Sequence, residues 1–342
     1  MYYIRNAFRR SGYFIVIIMI VWLTLSLVRQ DNTPKAALAA SDPVIAAAGD
    51  IACHPSDARF NDGKGTATTC RQKYTSDLLV NAGLKAVLAL GDNQYRCGDY
   101  QAYMQSYDLS WGRLKSITYP VPGNHEYTDM GGEGCSTKAA GYFKYFGAAA
   151  GSPTKGYYSY DIGTWHLVAL NSNCSAVGGC GSTSPQGKWL AADLAAHRTS
   201  CTLAYWHAPL FNSGEFDSPD TRPFWKILYK YGADVILNGH SHIYERFAPQ
   251  TPEGEMDPPY GIREFIVGTG GESHTSTTVT AANSQVRNTN TYGVLKLTLH
   301  PSSYDWQFVP EAGKTFSDSG TRNCHNLPPS EPVNAVVPDV DR

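Results

Sequence analysis

Five apolar segments of this chain end in residue types that bind metal ions, and this recurrence limits the possible fold more than any other feature. The segment AVLAL at residues 86–90 is typical of a buried parallel strand, and Gly91 and Asp92 follow it directly. Taken alone, a Gly-Asp pair after a strand indicates a simple turn as readily as a metal-binding site. Because ligands collect at the carboxyl ends of parallel strands, we expect the five segment ends to meet in one place. The other four segments are VIAAAGD ending at Asp50, TYPVPGNHE at Asn124 and His125, TLAYWH at His207, and DVILNGHSH at His240 and His242.

The side chains at these segment ends, with Tyr95, form a donor set large enough for two adjacent metal ions. We expect Asp92 to lie centrally and to give one oxygen to each ion. Asp50, Tyr95 and one imidazole could complete one site, and Asn124 with two imidazoles could complete the other. The pattern therefore predicts a dinuclear metal hydrolase.

Tyr95, in the sequence GDNQY, bears on the identity of the metal. A phenol with an ordinary pKa of about 10 must lose its proton to bind a cation, and a hard, highly charged ion favours that loss. Two carboxylates, a phenolate and a bound hydroxide carry four negative charges, so a trivalent and a divalent ion together would leave the centre with a net positive charge. The phenol indicates iron(III), unless Tyr95 is simply a buried tyrosine with a hydrogen-bonded hydroxyl.

The composition and the chain ends place this chemistry outside the cytoplasm. The 342 residues carry a formal net charge of only -2, so no nucleic-acid partner is expected. Residues 1–28 combine an arginine cluster with an uncharged apolar run at 13–28, which predicts a signal peptide or a signal anchor. Membrane contact is expected only through residues 13–28, if they are not cleaved. Residues 29–43 read as a linker, so the domain should be secreted or face outward from an N-terminal anchor.

Eight cysteines without a C-x-x-C pair favour disulfides in an oxidising compartment over a thiolate metal site. About 105 pairings are possible, so the pairing stays open. Proximity along the chain suggests Cys53 with Cys70 and Cys174 with Cys180.

The pattern of the remaining residues predicts one α/β domain at 44–323 followed by a Pro-rich tail at 324–342 that we expect to be disordered. The first two strands should be parallel within a β-α-β unit. Residues 131–160 should be a loop, followed by a hairpin that turns around residues 161–163. The segments 262–271, 292–300 and 303–310 should form one antiparallel sheet. Helices are expected at residues 71–82, 100–111, 186–197 and 222–231.

Four motifs, GDNQY, GNHE, YWHAP and NGHSHIYER, appear in an order and at separations that resemble the purple acid phosphatases of the calcineurin-like metallophosphoesterase superfamily. The resemblance covers most of residues 44–270. Other members of the superfamily usually have a histidine two residues after the first aspartate, where this chain has Ala52. The resemblance implies a four-layer α/β/β/α sandwich with two mixed sheets.

The resemblance also implies roles for individual residues. Iron(III) would be held by Asp50, Asp92, Tyr95 and His242. A divalent ion, either iron, zinc or manganese, would be held by Asp92, Asn124, His207 and His240. His125 would contact the phosphate and protonate the leaving group, although it could instead only orient Asn124. We expect Glu126 to be structural, and we expect the same of His54, His166, His197, His300 and His325. The role of His274 is left undecided.

The function implied is that of an exported, acid phosphatase-like phosphoesterase that hydrolyses small phosphate monoesters by direct attack of a metal-bound hydroxide. A phosphodiesterase or nucleotidase with the same metal centre is the main alternative, because surrounding loops set the substrate. A non-catalytic extracytoplasmic metal-binding protein is a further one. Plant members carry a histidine pair shortly after YWHAP, and residues 210–220 of this chain have none, which leaves the leaving-group contacts open. The oligomeric state stays open too.

Overall fold

Two β-sheets share one hydrophobic core in this computed structural model, which describes residues 42–128, 135, 137–214, 218–277 and 279–325. The strands of the described part are β1 Val44–Ala48, β2 Ala86–Leu90, β3 Thr118–Val121, β4 Tyr158–Ile162, β5 Trp165–Ala169, β6 Cys201–Tyr205, β7 Val235–Asn238, β8 Tyr244–Phe247, β9 Arg263–Val267, β10 Ser284–Asn288, β11 Gly293–Leu299, β12 Ser303–Pro310 and β13 Ser319–Asn323. The α-helices are α1 Gln72–Asp77, α2 Tyr100–Ala102, α3 Ala140–Phe146, α4 Pro185–Ala196 and α5 Arg222–Lys230.

The first sheet has the strand order β13-β12-β11-β1-β2-β3. Strand β1 pairs in parallel with β2, which confirms the predicted β-α-β unit, and β2 pairs in parallel with β3. Strand β3 is short and lies at the edge of the sheet, where a strand containing a proline is tolerated. Strands β11, β12 and β13 continue the sheet in antiparallel pairs on the other side of β1, so the sheet is mixed.

The second sheet has the order β10-β8-β9-β7-β6-β5-β4 and is also mixed. Its residues alternate between two cores, because successive side chains of a strand point to opposite faces. Leu167 and Leu203 lie in the core between the sheets. Val168 and Ala204 lie in a second core with Leu190 of α4. Helices therefore cover the outer face of this sheet, in agreement with the sandwich that the motifs implied.

The structure corrects several predicted elements. Strand β9 belongs to the second sheet, whereas β11 and β12 belong to the first, so these three segments do not form one antiparallel sheet. The predicted loop at residues 131–160 contains α3. The expected helix at 100–111 is only the short α2, which continues into a π-helical segment at Tyr103–Tyr107. The helix expected at 71–82 ends at Asp77. The predicted hairpin is confirmed by the antiparallel pairing of β4 and β5.

Four disulfides link the eight cysteines. Cys53–Cys70 and Cys174–Cys180 confirm the two pairs suggested by proximity, and the other two are Cys97–Cys135 and Cys201–Cys324. The last bridge fixes the chain directly after β13, and the next residue, His325, is buried. The rest of the predicted tail, from residue 326, lies outside the described residues.

The predicted signal or anchor segment and most of the linker, residues 1–41, also lie outside the described residues. Within the described part of the chain, no helix combines the length and the hydropathy needed to cross a bilayer.

His166 on β5 is held between two aspartates that link the β4–β5 hairpin to α4. Its Nδ1 lies 2.8 Å from Asp161 Oδ1, and its Nε2 lies 2.8 Å from Asp193 Oδ2. Burial would lower the pKa of His166, but the hydrogen bonds to Asp193 and Asp161 raise it overall. A raised pKa in the folded state stabilises the fold below the unfolded-state value of about 6.5, and this stabilisation is lost as the pH rises through the folded-state value.

We therefore expect His166→Gln to lower the free energy of unfolding by about 1–3 kcal/mol near neutral pH, and by less at alkaline pH. Urea unfolding of wild type and variant across pH measures this difference. His300→Gln is the matched control, because His300 also lies between two aspartates, Asp42 and Asp305, but with 28% of its side chain exposed. A difference that is independent of pH, or equal to that of the control, would contradict a buried ionic link.

Candidate metal centre

The loops that follow β1 and β2 run side by side and bring the first two predicted carboxylates together. The backbone N–H of Asp50 donates to Gly91 O at 3.0 Å, and that of Ile51 donates to Asp92 O at 2.9 Å. Parallel pairing thus continues past the last residues of the strands. Asp50 and Asp92 consequently leave the sheet at the same edge, as the sequence predicted.

One group of predicted ligands surrounds the Tyr95 hydroxyl. The phenolic oxygen lies 3.0 Å from Asp50 Oδ1 and 3.1 Å from Asp92 Oδ2. It also lies 3.0 Å from His242 Nε2. Tyr95, Asp50 and Asp92 are all buried. Three atoms of ligand type therefore lie within hydrogen-bonding distance of the Tyr95 oxygen.

A second group surrounds the His207 ring. His207 Nε2 lies 3.0 Å from Asn124 Oδ1 and 3.1 Å from His240 Nδ1. The same nitrogen is 3.2 Å from Asp92 Oδ2, which is also the atom that faces Tyr95. Asp92 thus belongs to both groups, but through the single oxygen Oδ2 instead of one oxygen for each group as expected, because Oδ1 accepts the His125 N–H. Together the two groups contain all seven predicted ligands. Two carboxylates, an amide, a phenol and three imidazoles form a set that fits a pair of metal ions.

The backbone at three of these residues adopts a conformation that the sequence did not signal. Asp50, Asp92 and His240 have φ values of 60°, 46° and 69°, in the left-handed region. Such a conformation costs a non-glycine residue roughly 1–3 kcal/mol and persists only where the surrounding structure imposes it. Here it follows a strand end each time, and the side chain then lies within hydrogen-bonding distance of other candidate ligands.

Two glycines allow the loops to approach this closely. A Cβ atom at Gly91, whose φ is 88°, would lie 2.6 Å from the His207 ring. A Cβ atom at Gly123 would lie 2.1 Å from Asp92 Oδ1. The glycines of the GD and GNHE motifs are therefore required by packing against the candidate ligands.

The electrostatics of the two groups call for cations. Burial, followed by Asp50 and Asp92, raises the pKa of Tyr95 well above its usual value, so the phenol stays protonated without a compensating positive charge. For His207, burial by itself would lower the pKa, but the nearby Asp92 carboxylate raises it to about 9. Burial and the charge of His207 instead lower the pKa of His240 to about 4. Cations bound at the two groups would neutralise the carboxylates that raise the other two pKa values.

His125 borders both groups without belonging to either. Its backbone N–H donates to Asp92 Oδ1 at 2.9 Å, and its Nδ1 lies 2.5 Å from Arg96 O. The ring centroid is 4.4 Å from that of Tyr95, and Nε2 is 3.9 Å from Asp92 Oδ2. With 30% of its side chain exposed, His125 can reach a molecule bound from solvent.

Glu126, which we expected to be structural, joins the GDNQ and GNHE loops through hydrogen bonds to their backbones. Its buried carboxylate accepts backbone N–H groups from Asp92 at 3.1 Å, Asn93 at 2.9 Å and Gly123 at 2.6 Å. It also accepts the Tyr103 hydroxyl at 3.0 Å. These hydrogen bonds hold the backbone of the two loops that carry Asp92 and Asn124, as expected for a structural residue.

We expect Glu126→Gln to destabilise the fold strongly, because its amide NH₂ would face N–H donors. Two orphaned buried donors would cost roughly 2–6 kcal/mol of the free energy of unfolding. Urea denaturation measures the loss, with the exposed Glu255→Gln as the matched control. A loss no larger than that of the control would show that Glu126 does not hold the loops.

The histidines that we expected to be structural lie outside the two groups of candidate ligands. His54, His166, His300 and His325 make hydrogen bonds elsewhere, and the His197 ring stacks on that of His166. His166, Asp193 and His197 lie close enough to resemble a third metal cluster. The two rings are nearly parallel, at 11°, so their nitrogen lone pairs do not converge on one point. The hydrogen bonds of His166 to aspartates account for this cluster better.

Sequence reasoning missed Glu272 and Ser273, which contact His242. Ser273 Oγ lies 2.9 Å from His242 Nδ1, and Glu272 Oε2 lies 3.5 Å from the same atom. Both residues follow the apolar segment of β9 and its glycines, so they form a sixth strand end of the kind that predicted the site. His274, whose role the sequence left undecided, has its Nδ1 3.2 Å from the His242 carbonyl oxygen and stacks on Tyr292.

Comparison with known proteins assigns this arrangement to a family. A family model described as calcineurin-like phosphoesterase matches residues 44–244, more than half of the chain. The chain belongs to the calcineurin-like phosphoesterase family. The match contains every candidate ligand and His125, and this family implies a dinuclear metal centre.

Purple acid phosphatases are among the relatives of this chain, which confirms the resemblance predicted from the four motifs. Purple acid phosphatase 15 of Arabidopsis thaliana is 30% identical over 186 residues, which are 50% of this chain and 34% of that protein. Phosphoenolpyruvate phosphatase of Allium cepa is 28% identical over 188 residues, or 47% of this chain and 36% of that protein. The chain thus spans about a third of the length of these curated relatives.

A solved structure supports the fold assignment. The purple acid phosphatase PPD1 of yellow lupin (Lupinus luteus) superimposes with a TM-score of 0.63 at 18% identity. The superposition covers 84% of this chain and 54% of the lupin chain. At this identity the likeness shows a common fold, with two mixed sheets in a metallophosphoesterase sandwich.

Proposed function

We propose that this chain is an exported dinuclear-metal phosphoesterase that hydrolyses small phosphate monoesters in the manner of an acid phosphatase. The observation that carries the proposal is the position of Asp92. One of its carboxylate oxygens lies 3.1 Å from the Tyr95 hydroxyl and 3.2 Å from His207 Nε2, between the two groups of ligand atoms. A carboxylate that serves both groups could hold two ions about 3.5–4 Å apart, the separation used in two-metal hydrolysis.

The two groups differ in the charge that they favour. Asp50, Asp92, Tyr95 and His242 include two carboxylates and a phenol, which suit iron(III). Asp92, Asn124, His207 and His240 carry less negative charge and suit a divalent ion, either iron, zinc or manganese. When bound, the metal pair supplies Lewis-acid charge for the phosphate oxygens and a nucleophilic hydroxide.

His125 is proposed to act as the acid that protonates the leaving group. Its Nδ1–H donates to Arg96 O, which leaves Nε2 on the side of Asp92. In the cationic ring Nε2 therefore carries a proton on the side of the candidate ligands, 3.9 Å from Asp92 Oδ2. Delivering this proton removes the cost of expelling an alkoxide.

Export is supported by the disulfides. Four bridges in a chain of this size are typical of oxidising compartments and rare in the cytoplasm. This agrees with the signal or anchor segment expected at residues 1–28.

Metal analysis combined with a substrate panel tests the proposal. We expect two metal ions per purified chain, one of them iron, and faster hydrolysis of phosphomonoesters than of diesters or nucleotides across the pH range. A preference for diesters or nucleotides would transfer the assignment to those substrates. Two bound ions without hydrolysis of any ester would contradict an enzymatic role and favour a metal-binding protein.

A further inference from the structure

The ring of His242 is held from the side that faces away from the candidate metal centre. Its Nε2 lies 3.0 Å from the Tyr95 hydroxyl, whereas its Nδ1 lies 2.9 Å from Ser273 Oγ. The Ser273 hydroxyl in turn donates to the Glu272 carboxylate. We propose that Glu272 and Ser273 form a carboxylate–hydroxyl–imidazole relay that positions His242 to bind a metal ion through Nε2. This inference rests on the proposed function only in taking His242 as a ligand.

The direction of the hydrogen bonds in the relay fixes the tautomer of His242. An ionised carboxylate can only accept, so the single hydroxyl proton of Ser273 goes to Glu272. The serine oxygen can then only accept from Nδ1–H of His242. A neutral imidazole with its proton on Nδ1 has its lone pair on Nε2. That nitrogen faces the Tyr95 oxygen and lies 3.3 Å from Asp50 Oδ1, among the candidate ligands.

The backbone of the relay is fixed to the loop that carries Asp50. The N–H of Glu272 donates to Asp50 O at 3.0 Å, and its carbonyl oxygen accepts the N–H of Cys70 at 2.9 Å. Cys70 is bonded to Cys53, three residues after Asp50. Backbone hydrogen bonds therefore join the relay both to the loop of Asp50 and to the loop that the Cys53–Cys70 disulfide closes.

A ring held in this way loses little freedom when it binds a cation. Without the relay, the His242 ring could turn about its χ2 torsion and place either nitrogen toward the site. Groups that orient a histidine ligand in this manner are worth roughly 10–100-fold in metal affinity. The relay touches only one of the two ligand groups, so its loss should weaken only one of two ions.

Zinc binding to the metal-free full chain tests the relay without relying on catalysis. The variants are Ser273→Ala, Glu272→Gln and the conservative Ser273→Thr, and Ser276→Ala is the matched control, since Ser276 is exposed in the same segment. Calorimetry and chelator competition at fixed pH give the affinity for each of two zinc ions. Thermal unfolding of each metal-free variant reports the stability of the fold.

For Ser273→Ala and Glu272→Gln we expect one zinc ion to bind about 10–100-fold more weakly, with the second ion and the metal-free Tm unchanged. Ser273→Thr should bind both ions as the wild type does. Wild-type affinity in the first two variants would overturn the relay, as would weakening of both ions together with a fall in Tm. A wild type that binds two zinc ions but hydrolyses no ester would refute the proposed function and leave the relay intact. Failure to bind two ions would refute both.

Discussion

Tyr95→Phe is expected to abolish the visible colour of the iron-loaded protein completely. The proposed iron(III) site contains Tyr95 as a phenolate, and a phenolate bound to iron(III) gives a charge-transfer band. Phenylalanine keeps the ring and removes the oxygen that lies 3.0 Å from both Asp50 Oδ1 and His242 Nε2. Absorption spectra of purified wild type and variant, with iron measured on the same samples, test this expectation.

Tyr260→Phe is the matched control for the colour experiment, because Tyr260 is 51% exposed and belongs to neither ligand group. It should keep the band unchanged. A wild type that is active and colourless with two zinc ions would reject the iron assignment and leave the hydrolase in place. A coloured Tyr95→Phe protein would show that another group provides the band.

His125→Ala is expected to slow the hydrolysis of alkyl phosphates by roughly 10²–10⁴-fold, the usual contribution of a general acid. Aryl phosphates should be slowed much less, because a phenolate leaves without prior protonation. His125 can supply this proton because its Nδ1 is bound to Arg96 O, whereas its Nε2 lies on the side of the candidate ligands. Values of kcat/KM for a series of esters graded by leaving-group pKa measure the difference.

His300→Ala serves as the control for the ester series, since His300 has a similar exposure, 28% against 30% for His125, and lies outside the site. It should leave both rates unchanged. An equal loss on alkyl and aryl esters in His125→Ala would contradict the acid role. The alternative, that His125 only orients Asn124, predicts that equal loss together with weaker metal binding.

The candidate ligands could be found from the sequence because each follows an apolar strand segment directly. Parallel strands end at a common edge, so a local pattern repeated along the chain carries three-dimensional information. The meeting of Asp50 with Tyr95, at 3.0 Å, follows from this rule, because β1 and β2 belong to one sheet. Asn124 and His207, also 3.0 Å apart, follow strands of different sheets, and they meet because the two sheets pack together. Period-2 alternation and turn residues likewise predicted the β4–β5 hairpin.

The positions that the sequence did not predict depend on partners far along the chain. Strand β9 pairs with β7 and β8, while β11 pairs with β1, and the apolar patterns of these segments do not distinguish between the two sheets. Helix α3 lies in a segment rich in glycine and tyrosine, where packing outweighs weak local propensity.

The sequence by itself determined the family, the identity of the candidate ligands and the strands that they follow, because these depend on which residue comes after which apolar segment. Only the tertiary structure decided how those ligands are held. Asp92 takes a left-handed backbone conformation, Glu126 joins two loops, and Ser273 orients His242. Each of these features results from contacts between segments that are separate in sequence, and no local pattern of residues encodes such contacts.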